Sequence, residues 1–98
     1  MTQAGWRLEG PDGFDDADWE LIESRGLLMG GHLVHGERKF PVIIYDPYRL
    51  TQDIEAETKG GGIFYEANVI AVEDLSRVTA EATVSRLAAA GFLDWMLA

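Results

Sequence analysis

The chain predicts an α+β fold: a largely antiparallel sheet of four or five strands, with one helix near each end packed on it. Three observations lead there. From Gly60 to Phe92, a glycine turn, an alternating apolar run, a short connection and a glycine-closed helix follow one another. From Leu27 to Tyr45, two apolar runs flank Gly36-Glu37-Arg38, the pattern of a β-hairpin. Between Asp15 and Gly26 lie the start and stop signals of a helix.

In the first stretch, Ile63, Tyr65, Ala67, Val69 and Ala71 share one parity and are all apolar. They are expected to line the core face of a strand spanning residues 62–72. The other parity (Phe64, Glu66, Asn68, Ile70, Val72) is mixed, which implies a second face that is partly covered. A helix follows over residues 80–90, with Thr79 as N-cap and Glu81 in the first turn, where the helix dipole favours an anion. Ala80, Val84, Leu87 and Ala88 recur at helical spacing, so the stripe is small enough for close approach to the sheet. Gly91 supplies a left-handed terminator, with Phe92 folding back over the last turn.

Gly5 to Glu9 reads as a short strand, and Gly10-Pro11-Asp12-Gly13 as a turn. A helix is expected over residues 16–25. Asp15 is its N-cap, Asp18 completes a capping box, and Phe14 with Trp19 forms a hydrophobic staple. Its core side comprises Trp19, Leu21 and Ile22. Leu27–His35 and Lys39–Tyr45 are the hairpin strands, with a bulge or close approach at Gly30-Gly31 and Pro41 near a strand start. Residues 46–59 carry conflicting signals. Asp46-Pro47 is a helix start, yet Tyr48, Leu50, Gln52, Ile54, Ala56 and Thr58 alternate perfectly with charged or polar neighbours. Period is taken over propensity, and the segment is expected to be a strand with one charged face. The tail Phe92–Ala98 holds Trp95, Met96 and Leu97, which must dock on the sheet or meet a second subunit.

Length and composition narrow the functional classes. Ninety-eight residues suit one domain, residues 1–98, and 47% hydrophobic content is incompatible with wholesale disorder. There is no cysteine, hence no disulfide and no thiolate chemistry. MTQAGWRLEG lacks the features of a secretory leader and no run is long enough to span a bilayer, so a cytoplasmic protein is expected. Six arginines against two lysines, with abundant alanine and glycine, suggest a bacterial, GC-rich source. The net charge of −9 argues against nucleic acid and anionic membranes as partners, and favours a basic protein.

No metal, cofactor or catalytic constellation is expected. His32 and His35 lie three apart on a strand, which sends them to opposite faces, and no H-E-x-x-H pattern surrounds them. Gly60-Gly61-Gly62 precedes a strand instead of joining a strand to a helix, so it is a turn and not a phosphate loop. His32, Tyr45, Glu66 and Asn68, from three adjacent strands, are the candidate polar residues of a cleft, with Glu66 able to serve as a base if its surroundings raise its pKa. Arg7 or Arg49 would instead neutralise it. The acidic groups are the feature with a positive function. Glu9, Asp12, Asp15, Asp16, Asp18, Glu20 and Glu23 cluster in the N-terminal quarter, and Asp53, Glu55 and Glu57 share one parity. Asp53, Glu55, Glu57, Trp95 and Met96 are therefore the candidate partner-binding residues.

The sequence thus points to a small acidic, non-enzymatic interaction module, of inhibitor or immunity type or an accessory subunit, binding a basic protein. The competing expectation is a small homodimeric enzyme or small-molecule-binding domain with a pocket between sheet and helix. A homodimer mate would also serve to cover the second sheet face.

Overall fold

In the computed structural model of the chain, residues 5–97 are described, except for the Trp95 side chain. The elements are β1 (Trp6–Glu9), α1 (Asp16–Arg25), β2 (Leu27–His35), β3 (Arg38–Tyr45), α2 (Pro47–Thr58), β4 (Val69–Ala71) and α3 (Arg77–Ala89), followed by a 3-10 turn over Asp94–Leu97. The fold is α+β, with three helices and a four-stranded mixed sheet in the order β1-β2-β3-β4. β1–β2 and β2–β3 are antiparallel, whereas β3–β4 is parallel. The expectation of a largely antiparallel sheet is corrected by that last pairing. A parallel neighbour needs a crossover connection, and residues 46–68, with α2 inside them, provide it.

α1 forms where local chemistry places it. The Asp15 carboxylate accepts from the Ala17 and Asp18 amides, and Asp18 accepts from the Asp15 amide at 2.9 Å, closing the capping box. Phe14 and Trp19 meet edge to face at 5.2 Å. Gly26, at φ 72°, ends the helix. Trp19 and Ile22 pack against the core, but Leu21 is 49% exposed and is not a core residue. A helix contacting the sheet along a narrow strip has no room for a third large side chain.

The hairpin forms as expected, and the register shifts between Leu28 and Gly31, at the Gly30-Gly31 pair. Trp6, Leu28, Leu33, Val42, Ile44, Val72 and Leu75 make the core with Ala80, Val84 and Ala88 from α3. α3 begins three residues earlier than expected, because Ser76 caps it: its Oγ accepts from the Thr79 amide at 3.2 Å. Its end follows the Schellman pattern, with Phe92 N–H donating to Leu87 O (2.9 Å) and Gly91 N–H to Ala88 O (3.1 Å). Leu93 and Met96 then return the tail to the core.

Two segments depart from the sequence reading. Residues 47–58 are a helix, not a strand. Asp46 caps it through the Arg49 amide at 2.8 Å with Pro47 in the first turn, and no residue of α2 is buried. Alternation selects a strand only when a sheet face sorts it. Here nothing sorts it, and the local cap decides.

The long strand expected over residues 62–72 shrinks to Val69–Ala71, and its parity is inverted. Ile63 and Tyr65 are 81% and 84% exposed, while Val72 is 6% exposed and Ile70 packs against the core. Pro41 gives the reason. In the β3–β4 ladder Ile43 N–H donates to Asn68 O. The next rung would come from Pro41, which has no N–H. The ladder stops there. Asn68, at φ 56°, turns the chain away and donates its Nδ2 to Pro41 O instead.

Candidate functional site

Pairing register assigns the side chains to two faces. Trp6, Leu8, Leu33, His35, Phe40, Val42, Ile44 and Ile70 face the core side, under α3. The second side carries Arg7, Glu9, His32, Val34, Lys39, Pro41, Ile43, Tyr45, Val69 and Ala71. α2 reaches this second side at the Tyr45 end, where a small polar cluster fixes it.

That cluster consists of Tyr45, Arg49 and Asp53. The Tyr45 hydroxyl donates to Asp53 Oδ2 at 2.9 Å, and Arg49 Nε donates to Asp53 Oδ1 at 3.0 Å. A second Arg49 nitrogen reaches the Arg25 carbonyl at 3.4 Å, at the end of α1. Tyr45 is 3% exposed. Burial first, and then the carboxylate of Asp53, push its hydroxyl up to about 12. Asp53 is thus committed to holding α2. Arg49 is its ion-pair partner, a role the sequence assigned to it only in connection with Glu66.

Beyond this cluster the chain leaves the body of the protein. From Ile54 to Ala67 every residue except Phe64 is exposed. Phe64 is the anchor on the way back, edge to face with Tyr45 at 6.5 Å. The arm displays Ile63 and Tyr65, and Tyr48 at its base is 73% exposed. Glu55, Glu57 and Glu66 are also exposed on it.

The candidate residues from the sequence therefore separate. Glu55 and Glu57 project from the arm, while Asp53 turns inward to Tyr45 and Arg49. Met96 is 9% exposed and belongs to the core, and the Trp95 side chain lies outside the described residues. His32 lies opposite Pro41 in the β2–β3 register, and Asn68 Nδ2 donates to the Pro41 carbonyl, so these two neighbour one strand position. Glu66 lies near enough to Tyr45 to raise its pKa but is solvent-exposed. His35 meets Trp6 in a tilted ring contact at 5.0 Å, on the opposite side from His32.

The acidic N-terminal cluster is largely used in the fold. Asp15 and Asp18 form the cap, Asp16 pairs with Arg77, and Glu9 pairs with Lys39 at 2.6 Å. The hydrogen bond from Lys39 holds the Glu9 carboxyl below the usual range. Among the described residues, no group of three or more His, Cys, Asp or Glu is placed to hold a metal ion. No described helix is long and apolar enough to cross a membrane.

Sequence reasoning missed Phe64 as an anchor, and, although a pocket between sheet and helix was among its expectations, it did not single out Arg86, Leu87 and Phe92, which line the groove beside β4. A signal for the arm was present in the sequence. Gly60 and Gly61, which take φ 78° and 93°, stand between two segments with unlike solvent demands. Comparison with known families, curated proteins and solved structures found no match to this chain.

Proposed function

We propose that this chain is a small acidic, non-enzymatic interaction module that binds a basic protein through the arm formed by α2 and residues 59–68. One observation carries the reading: apolar side chains as large as Ile63 and Tyr65 are 81% and 84% exposed, on a segment with almost no burial of its own. Exposed apolar groups gathered in one place, rimmed by polar ones, mark interaction sites. Glu55, Glu57 and Glu66 supply the rim, and the net charge of −9 steers a cationic partner toward it. Tyr and Ile at the centre with carboxylates around them divide the work in the usual way, apolar anchors for affinity and charge for approach.

The test is site-specific photocrosslinking in the source cell. A benzophenone amino acid replaces Ile63 or Tyr65, and Glu37 in the hairpin turn serves as the reference position. A basic protein is expected to crosslink from positions 63 and 65 and not from 37. Its binding to purified protein should weaken with added salt and be lost in the Ile63→Asp/Tyr65→Asp variant. An acidic or neutral partner, equal crosslinking from all three positions, or binding unaffected by the double substitution would refute the reading.

A further inference from the structure

β4 is the last strand of the sheet order, so among the described residues its outer edge is unpaired. Val72 N–H donates to Tyr45 O (2.8 Å) and Ile43 N–H to Asn68 O (3.2 Å), which shows that the even-numbered positions here face β3. Val69 and Ala71 consequently direct their N–H and C=O groups outward. An edge of this kind is a template for one more strand.

Two cavities lie along that edge on the α3 side. One, of about 170 Å³, is apolar and lined by Leu33, Val42, Val69, Ile70, Leu93 and Met96. The other, of about 430 Å³, lies farther along β4 and is lined by Ala71, Glu73, Thr79, Thr83 and Arg86. Leu87 and Phe92 belong to both linings, so the two form one groove between the strand and the helix. The apolar cavity adjoins Asn68–Ile70, and the other, the more polar of the two, adjoins Ala71–Glu73. Same-face residues of an added strand stand about 7 Å apart, which matches that succession.

We infer that this groove binds an extended peptide segment of another protein, added antiparallel to β4. One inward side chain is a leucine-sized apolar group in the cavity beside Ile70. Two residues before it, a carboxamide side chain enters the larger cavity at its Glu73–Arg86 walls. The carboxamide follows from the walls: neither Arg86 nor Glu73 is ion-paired among the described residues, and one donates while the other accepts. A side chain offering both a carbonyl and an N–H satisfies both; a carboxylate would meet Glu73 and an ammonium would meet Arg86. The antiparallel direction follows from the better hydrogen-bond geometry of that pairing. Strand addition with alternate side-chain pockets is a known mode of peptide recognition. This surface is separate from the arm, and the inference stands whether or not the arm binds a basic protein.

The probe is fluorescein-Gly-Ser-Gln-Thr-Leu-Thr-Ser, read by fluorescence polarisation and by amide exchange of the full chain. Binding is expected below about 1 mM, with slowed exchange at the Val69 and Ala71 amides. Ala71→Pro removes one outward N–H without touching the β3–β4 ladder, and should weaken binding about tenfold. Phe92→Ala, at a position 64% exposed, should weaken it without risk to the core. Replacing the probe's leucine by aspartate should abolish binding, and its glutamine by lysine should weaken it several-fold. The inference is overturned by an unmoved signal at 1 mM probe, by affinity that survives both Ala71→Pro and Phe92→Ala, or by light scattering that shows a dimer which Ala71→Pro dissociates.

Discussion

Replacing Tyr45 with phenylalanine tests how α2 is held to the protein. α2 buries none of its residues. Its attachment beyond the Asp46 cap rests on the Tyr45–Asp53 and Arg49–Arg25 contacts, at 2.9 and 3.4 Å, with Arg49 and Asp53 braced against each other within the helix at 3.0 Å. Phenylalanine keeps the buried ring and deletes only the hydroxyl. A hydrogen bond to an ionised acceptor contributes about 1.5–3 kcal/mol. Asp53 retains Arg49 in the variant and is not orphaned, so the lower end, about 1.5 kcal/mol, is expected at pH 8.

The pH dependence then separates this account from a simple packing effect. The hydroxyl ionises at about 12 in the folded chain, against an ordinary value of 10.0. Below pH 10 both states keep the proton and its contribution is complete. Above it the unfolded chain ionises first, the native state binds more protons, and stability falls as pH rises through the folded value. The displacement from 10.0 to about 12 corresponds to about 2.7 kcal/mol, most of it lost by pH 12. Tyr45→Phe has no such loss. Tyr48 and Tyr65 are 73% and 84% exposed in both proteins, so they cancel in the comparison. Urea unfolding by circular dichroism at pH 8, 10, 11 and 12 should show the wild type ahead by about 1.5 kcal/mol at first and behind by about 1 kcal/mol at the end. A difference that stays constant with pH, or a variant more stable at pH 8, would refute the reasoning.

Other substitutions test separate parts of the fold. Gly26→Ala must place a side chain at φ 72°, where its Cβ would meet the Asp46 carboxyl carbon at 2.7 Å. The left-handed conformation costs about 1–2 kcal/mol, and displacing Asp46 weakens the α2 cap by about 1 kcal/mol, both readable from the urea midpoint. Asp15→Ala removes the capping box of α1, with a loss of about 1 kcal/mol expected in the same assay. Leu75→Ala, at a residue 0% exposed, should cost about 2–5 kcal/mol. Ile63→Asp and Tyr65→Asp should each stay within about 0.5 kcal/mol of wild type. If the last two unfold the chain, Ile63 and Tyr65 belong to a core after all.

What the sequence revealed depended on whether the deciding interaction was local. Asp15, Asp18, Phe14, Trp19 and Gly26 act within a dozen residues of one another, and α1 occupies the expected span. The hairpin and its glycine bulge are local too, as is the Gly91 terminator. The strand expected over residues 62–72 failed because its extent is set by a residue elsewhere: Pro41, more than twenty positions upstream, cannot donate the rung that residue 66 would need. Leu75, buried more completely than most of the core, sits in an irregular connection where no periodicity marks it.

The candidate site was harder to read for a related reason. Alternating apolar residues signal a strand when the sheet buries one set of them. The same composition on an unburied segment, such as Tyr48–Lys59 or Ile63–Ala67, is equally consistent with a surface reserved for another molecule. The sequence holds the side chains of the arm but not their exposure, and exposure is what takes Ile63 and Tyr65 out of the expected core. The carboxylates divide the same way: Asp53 is consumed by Tyr45 and Arg49, whereas Glu55 and Glu57 face solvent, although the three share one parity. On the helix Asp53 and Glu57 share a face and Glu55 lies across from them, so Asp53 is set apart by its contact with Tyr45. A partner that senses negative charge on this arm will therefore respond to Glu55→Gln and Glu57→Gln, and Asp53→Asn will act instead by loosening α2. Comparing partner binding with the exchange rates of the α2 amides across the three variants distinguishes the two effects. Equal behaviour of all three would mean that the arm binds as a charged strand-like face and that the helix is not what the partner meets.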